Sequence, residues 1–143
     1  MASERYEIDE ETAERLIAAA RGAMRLSYSP YSGYPVGAAL LVQGGHVIAA
    51  ANIENAAYPV SLCAERAAVA AALSAGHREL LAIAVASRGD PPAPPCGACR
   101  QVLSEFNPEL PVLVAGETGP ASLHSLDALL PFSFGPKNLR HDV

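Results

Sequence analysis

Pro95-Cys96-Gly97-Ala98-Cys99 and, ahead of it, Cys63-Ala64-Glu65-Arg66 decide how this chain is laid out. Cys63 stands at the start of one helical pattern, and Cys96 and Cys99 flank the start of another. A helix N-terminus carries unpaired N–H groups and the positive end of the helix dipole. Both favour thiolate over thiol, and the thiolate is the form that binds metal. Three thiolates fill three corners of a zinc tetrahedron and leave the fourth open to water. Structural zinc sites are closed by four protein ligands, whereas catalytic ones keep that opening. The spacing therefore predicts two helix ends meeting at one ion.

Around these helix starts the rest of the chain reads as alternating strands and helices. Residues 9–26 carry Leu16, Ile17, Ala20, Ala23 and Met24 at helical spacing. Ser27-Tyr-Ser-Pro-Tyr-Ser-Gly-Tyr-Pro then breaks the helix. Two apolar runs, 36–42 and 46–51, joined at Gln43-Gly44-Gly45, signal a hairpin. The helix over 62–75 is apolar almost all round and is expected in the centre of the domain, with Gly76 at its C-terminal cap. Residues 80–86 and 110–115 read as strands, 97–106 and 125–130 as short helices. The Asp90-Pro-Pro-Ala-Pro-Pro run has the composition of a linker, but it leads straight into Cys96 and reads as a stiff arm. Strands alternating with helices argue for an α/β layered domain, and the hairpin makes its sheet mixed.

At 143 residues the chain is expected to form one domain, residues 1–143, with a real core. Half of its residues are hydrophobic and only 17% charged, which excludes a disordered chain. Low charge and abundant alanine suggest further burial between subunits. The formal net charge of −5 and the lack of any Lys/Arg cluster in the sequence argue against a nucleic acid polymer as partner. Met-Ala-Ser-Glu-Arg-Tyr-Glu lacks the basic start and apolar run of a signal peptide, and no apolar stretch is long enough to span a membrane. The expected location is the cytoplasm, where an odd number of cysteines points to metal or catalysis rather than disulfides.

Glu65, two residues past Cys63, is available to act beside the metal rather than bind it. Residues i and i+2 of a regular helix do not face each other. Glu65 and Cys63 can therefore cooperate only if the ion lies ahead of the helix end. A carboxylate there can take a proton from water on a catalytic zinc and return protons as a general acid. Three thiolates leave the centre one charge negative, and Arg66 and Arg100 are candidates to offset it by hydrogen bonds to sulfur; an ordinary surface ion pair is the alternative for each. His46 reads as a turn residue, and His77, His124 and His141 as loop or surface histidines, none paired at metal spacing.

With these residues the chain resembles the small homotetrameric zinc-dependent cytidine deaminases. The likeness runs from Tyr28-Ser-Pro-Tyr-Ser-Gly-Tyr-Pro-Val-Gly-Ala-Ala-Leu-Leu through Asn52-Ile-Glu-Asn-Ala-Ala-Tyr-Pro and Cys63-Ala-Glu-Arg to Pro95-Cys-Gly-Ala-Cys-Arg-Gln-Val-Leu-Ser-Glu-Phe. It ends with Leu129-Leu-Pro and Phe134-Gly-Pro. The resemblance implies a three-layer α/β/α sandwich with a mixed, mostly five-stranded sheet, one Zn²⁺ per subunit on Cys63, Cys96 and Cys99, and proton shuttling by Glu65. It also implies that Asn52 and Glu54 bond the ribose hydroxyls, that the amide of Ala64 helps hold the base, and that Phe134 reaches over the base in a neighbouring subunit's site. Tyr34 stands where family members tend to carry Phe. The implied reaction is hydrolytic deamination of free cytidine and deoxycytidine in pyrimidine salvage by a homotetramer. A deaminase of blasticidin S-type antibiotics shares the cysteine core, but Asn52 with Glu54 argues for ribose. A non-catalytic zinc-stabilised module with a further, fourth ligand is the reading from another class; Glu65 discriminates, because loss of turnover in Glu65→Gln with zinc and fold retained would exclude it.

Overall fold

The computed structural model describes residues 8–139. The polar N-terminal stretch 1–7 and His141 lie outside the described residues. The elements are α1 (Glu10–Met24), β1 (Val36–Val42), β2 (Val47–Ala51), α2 (Ala64–Ser74), β3 (Leu80–Ser87), α3 (Gly97–Phe106), β4 (Pro111–Ala115), β5 (Ser122–Ser125) and α4 (Leu126–Leu129). They form one five-stranded sheet in the order β2-β1-β3-β4-β5. Only β3 and β4 pair in parallel; the other neighbours are antiparallel. That parallel pair needs a crossover, and the proline arm followed by α3 supplies it.

Strand alternation sorts the core into two halves. Ala38, Leu40, Val42, Ile83, Val85, Val112 and Val114 face α2, α3 and α4 with Ala68, Val69, Leu103 and Leu126. Ala39, Ala82, Ala84, Ala86 and Leu113 face α1 with Leu16, Ala20 and Met24. The result is a three-layer sandwich. The α1 side of the sheet is built of small residues, so α1 lies close to it.

Gly37 of β1 marks the closest approach. A Cβ there would collide with the carbonyl oxygen of Ala20 and come within 2.7 Å of Met24 N, both backbone atoms that cannot rotate away. Gly37→Ala is therefore expected to destabilise the protein by roughly 1–3 kcal/mol or more, the usual cost of overpacking. Urea unfolding curves measure it; an unchanged midpoint would contradict the close approach.

The sheet has one strand more than the sequence pattern reveals. β5, Ser-Leu-His-Ser, is short and polar because it lies at an edge, and His124 belongs to it rather than to a loop, with Nε2 2.8 Å from Ser122 Oγ. His46 follows the β1–β2 turn as read, its ring 5.2 Å from that of His77. Gly76 takes positive φ just past α2, the conformation that closes a helix. Helix α2 is a correction of another kind. It was expected in the centre of the domain, but only Ala64, Glu65, Ala68, Val69 and Ala72 are buried, and Ala70 and Ala71 are exposed. The reason is layering: α2 covers one face of the sheet and turns its other alanine face outward.

Candidate active site

Cys63 and Cys96 occupy equivalent places. Each is the N-cap of its helix, in extended backbone (φ −69°, ψ 151° and φ −68°, ψ 167°), and neither side chain caps its own helix. Their sulfurs thus point ahead of the helix ends. Cys99 comes from the first turn of α3 and is buried. The three Sγ atoms lie within 4.8 Å of one another, Cys63 to Cys96 at 3.8 Å and Cys96 to Cys99 at 3.4 Å. A tetrahedron with Zn–S bonds of about 2.3 Å has edges of roughly 3.8 Å, so the donor set fits zinc in size as well as in chemistry.

The same cluster is electrostatically prepared. The Cys63 thiol is pulled down to about 5, chiefly by the hydrogen bond from Cys99 against the opposing cost of burial, with Arg66 adding to the pull. Cys99 is pushed up by that same bond and by its burial. Arg66 Nη2 donates to Cys63 Sγ at 3.5 Å, the contact expected of it. Arg100 is a correction: its Nε and Nη1 donate to the carbonyls of Pro95 and Leu129, both at 2.7 Å, rather than to sulfur. It braces the end of the arm, next to Cys96, against α4.

Glu65 is 4% exposed, and its burial raises its carboxyl above the usual carboxylate range. Because Cys63 has left helical geometry, the rule that i and i+2 diverge does not apply. Glu65 and Cys63 line one cavity of about 410 Å³. Ala64 lines it too, as the first residue of α2, where an amide has no partner within the helix.

Asn52 and Glu54 also line that cavity. Glu54 Oε1 accepts from the amides of Tyr31 (3.0 Å) and Ser32 (3.1 Å), and the Ser32 hydroxyl donates to Oε2. These bonds, that hydroxyl foremost, hold Glu54 below the usual carboxylate range, so it is an anion at neutral pH. Asn52 is more committed. Its Oδ1 accepts from Val36 N and Ser27 Oγ, and its Nδ2 donates to Tyr34 O. One amide hydrogen remains for a ligand. Tyr34 lines the cavity too; Phe134 does not line it and is 59% exposed.

Sequence reasoning missed Tyr31, Ser32 and Ser27, which aim Glu54 and Asn52, and the wall formed by Ala93 and Pro94. The segment Tyr28–Pro35 signalled a helix break and a family likeness that singled out Tyr34; its other hydroxyls and its free amides were the overlooked clue. Folding also gathers Arg21, Arg25 and Arg88 around one shallow depression, although they are scattered in sequence. Arg21 is bound to the carbonyls of Gly116 and Gly119 and Arg88 to Glu117, so these two already have partners within the chain.

Three cysteine donors at two helix starts, beside a buried carboxylate in a three-layer sandwich, have the make-up of a catalytic zinc centre. Residues 10–115 match the family described as the cytidine and deoxycytidylate deaminase zinc-binding region. The chain belongs to that family. It is 43% identical over 129 residues to a cytidine deaminase of Sporosarcina psychrophila, covering 90% of this chain and 95% of the relative. Among solved structures, a cytidine deaminase from Burkholderia pseudomallei superposes with a TM-score of 0.82 at 44% identity, covering 85% of this chain and 98% of the other. One from Mycobacterium tuberculosis gives 0.76 at 39% identity, covering 90% and 99%.

Proposed function

We propose that the protein is a cytidine deaminase that converts free cytidine and deoxycytidine to uridine and deoxyuridine with release of ammonia. The observation that carries this reading is one cavity lined by Glu65 and by Cys63 and Cys96 of the three-sulfur cluster, and also by Asn52 and Glu54, matched to a nucleoside's reacting ring and its sugar. Cys63, Cys96 and Cys99 would hold zinc, which when bound would supply the Lewis acidity that makes water nucleophilic near neutral pH. Glu65 takes a proton from the water that attacks C4. It passes protons to N3 of the ring and to the departing amino group, so that one water is consumed for each ammonia released. The Ala64 amide bonds the base and Tyr34 flanks it. Arg66 offsets the charge of the thiolates, and Arg100 holds the arm that presents Cys96.

Glu54 and the remaining Asn52 hydrogen bond the sugar hydroxyls. Glu54→Ala should raise KM for cytidine by about 10- to 100-fold, the worth of a hydrogen bond to a charged group. It should leave KM for a sugar-free cytosine analogue nearly unchanged. Equal effects on both substrates in steady-state assays would remove Glu54 from the sugar site.

The one domain spans the chain and acts as a cytoplasmic homotetramer in pyrimidine salvage, without nucleic acid or membrane partners. Among the described residues no helix is long and apolar enough to cross a membrane. Exposed Tyr58, Val60, Phe132 and Phe134, with the outward alanines of α2, offer the apolar surface that subunit contacts would cover. Phe134, held at its carbonyl by Gln101, is free to reach a neighbouring site. The decisive experiment measures zinc per chain and cytidine-to-uridine conversion on one sample, with sedimentation giving the subunit number. Zinc-loaded protein that leaves cytidine intact would refute the reading.

A further inference from the structure

Tyr34 is held at both ends. Its amide donates to Ser32 Oγ (3.0 Å) and its carbonyl accepts from Asn52 Nδ2 (3.0 Å), so its backbone is fixed by the residues that aim Glu54 and Asn52. Its hydroxyl end lies over Gly89, at the root of the arm that leads to Cys96. A Cβ on Gly89 would sit 2.7 Å from the Tyr34 hydroxyl oxygen and 3.7 Å from Cε2. Gly89 is not among the residues with positive φ, so backbone conformation does not require glycine there. What glycine provides is room.

We infer that Gly89 is a positioning residue for substrate binding: by lacking a side chain it receives the Tyr34 hydroxyl against the arm and keeps the phenol ring along the cavity wall, out of the space for the base. A phenylalanine at 34 would not need this gap. The hydroxyl and the glycine are thus a matched pair. Because Tyr34 lines the cavity and its backbone is bonded to Ser32 and Asn52, a phenol pushed off Gly89 would crowd the cavity or pull on those anchors. Both weaken nucleoside binding and leave Glu65 and the three cysteines untouched. The inference rests on the cytidine deaminase reading.

The test is a double-mutant cycle of Gly89→Ala and Tyr34→Phe, with zinc content, kcat and KM for cytidine, and melting temperature measured for all four proteins. The Cβ of Gly89→Ala also comes within 3.1 Å of the Pro91 carbonyl oxygen, but that contact is common to both backgrounds and cancels in the cycle. In the tyrosine background Gly89→Ala should raise KM about tenfold, the lower end of what overpacking costs. Zinc content should stay at one per chain and kcat should change little. In the Tyr34→Phe background the same substitution should change KM less than about threefold, because only the shared Pro91 contact remains. Should Gly89→Ala alone prove too unstable to assay, recovery of its melting temperature by Tyr34→Phe supports the pair, and no recovery overturns it. Equal effects of Gly89→Ala in both backgrounds, with an active wild type, overturn the inference alone. A wild type that does not convert cytidine overturns the functional reading and this inference with it.

Discussion

Glu65→Gln should lower kcat about 10⁴-fold, the upper end of what general acid–base catalysis contributes. The upper end applies because, in the proposed reaction, one carboxylate would serve successive proton transfers, from the attacking water, to the ring and to the leaving amine. Glutamine keeps the size of the side chain and much of its hydrogen bonding but cannot carry the proton. Glu65 is buried at the start of α2 and is not among the donors that cluster as a metal site. The variant should therefore keep one zinc per chain and an unchanged fold, and its KM should move far less than its kcat. Stopped assays of uridine formation beside metal analysis on the same preparation check this. Retained turnover would remove Glu65 from the proton transfers.

Cys99→Ala should abolish zinc binding and with it activity. It should also cost stability beyond the loss of one small buried side chain. The residue is fully buried in the first turn of α3, 3.4 Å from the Cys96 sulfur, and no other Cys, His, Asp or Glu among the described residues completes a set of three donors there. Two remaining sulfurs make a poor zinc site. Structural zinc sites bind with apparent free energies of about 10–16 kcal/mol in small domains, and binding of that kind is linked to folding. A strong chelator on the wild type should give the same inactivation and lowered melting temperature, and readdition of zinc should reverse both. Cys99→Ala should show no response to either. A variant that still bound one zinc would refute the three-cysteine centre.

The metal centre was legible because its information is local. Cys63 and Cys96 each announce a helix start, and helix starts are where thiolates are favoured. The layered fold was legible for a similar reason: β1 and β3 are long apolar runs, and the glycines at 44 and 45 mark the turn from β1 to β2. What stayed hidden depended on partners far along the chain. β5 is a strand only because β4 lies beside it; its own four residues are too polar to say so. The outward face of α2 could not be read from a helix that is apolar on every side. Arg100 next to Cys99 suggested sulfur, whereas its reach is set by carbonyls at Pro95 and Leu129. Ser32 and Tyr31 gained their task only when the chain folded back on Glu54.

Neither α2 nor α3 has a side-chain cap, since the residue at each N-cap position offers its sulfur forward instead. Transplanting this centre onto another scaffold would accordingly mean carrying over two complete helix beginnings, with their extended entry segments and the Arg66 and Arg100 tethers. Three cysteines grafted onto regular helices would have the right elements and the wrong aim.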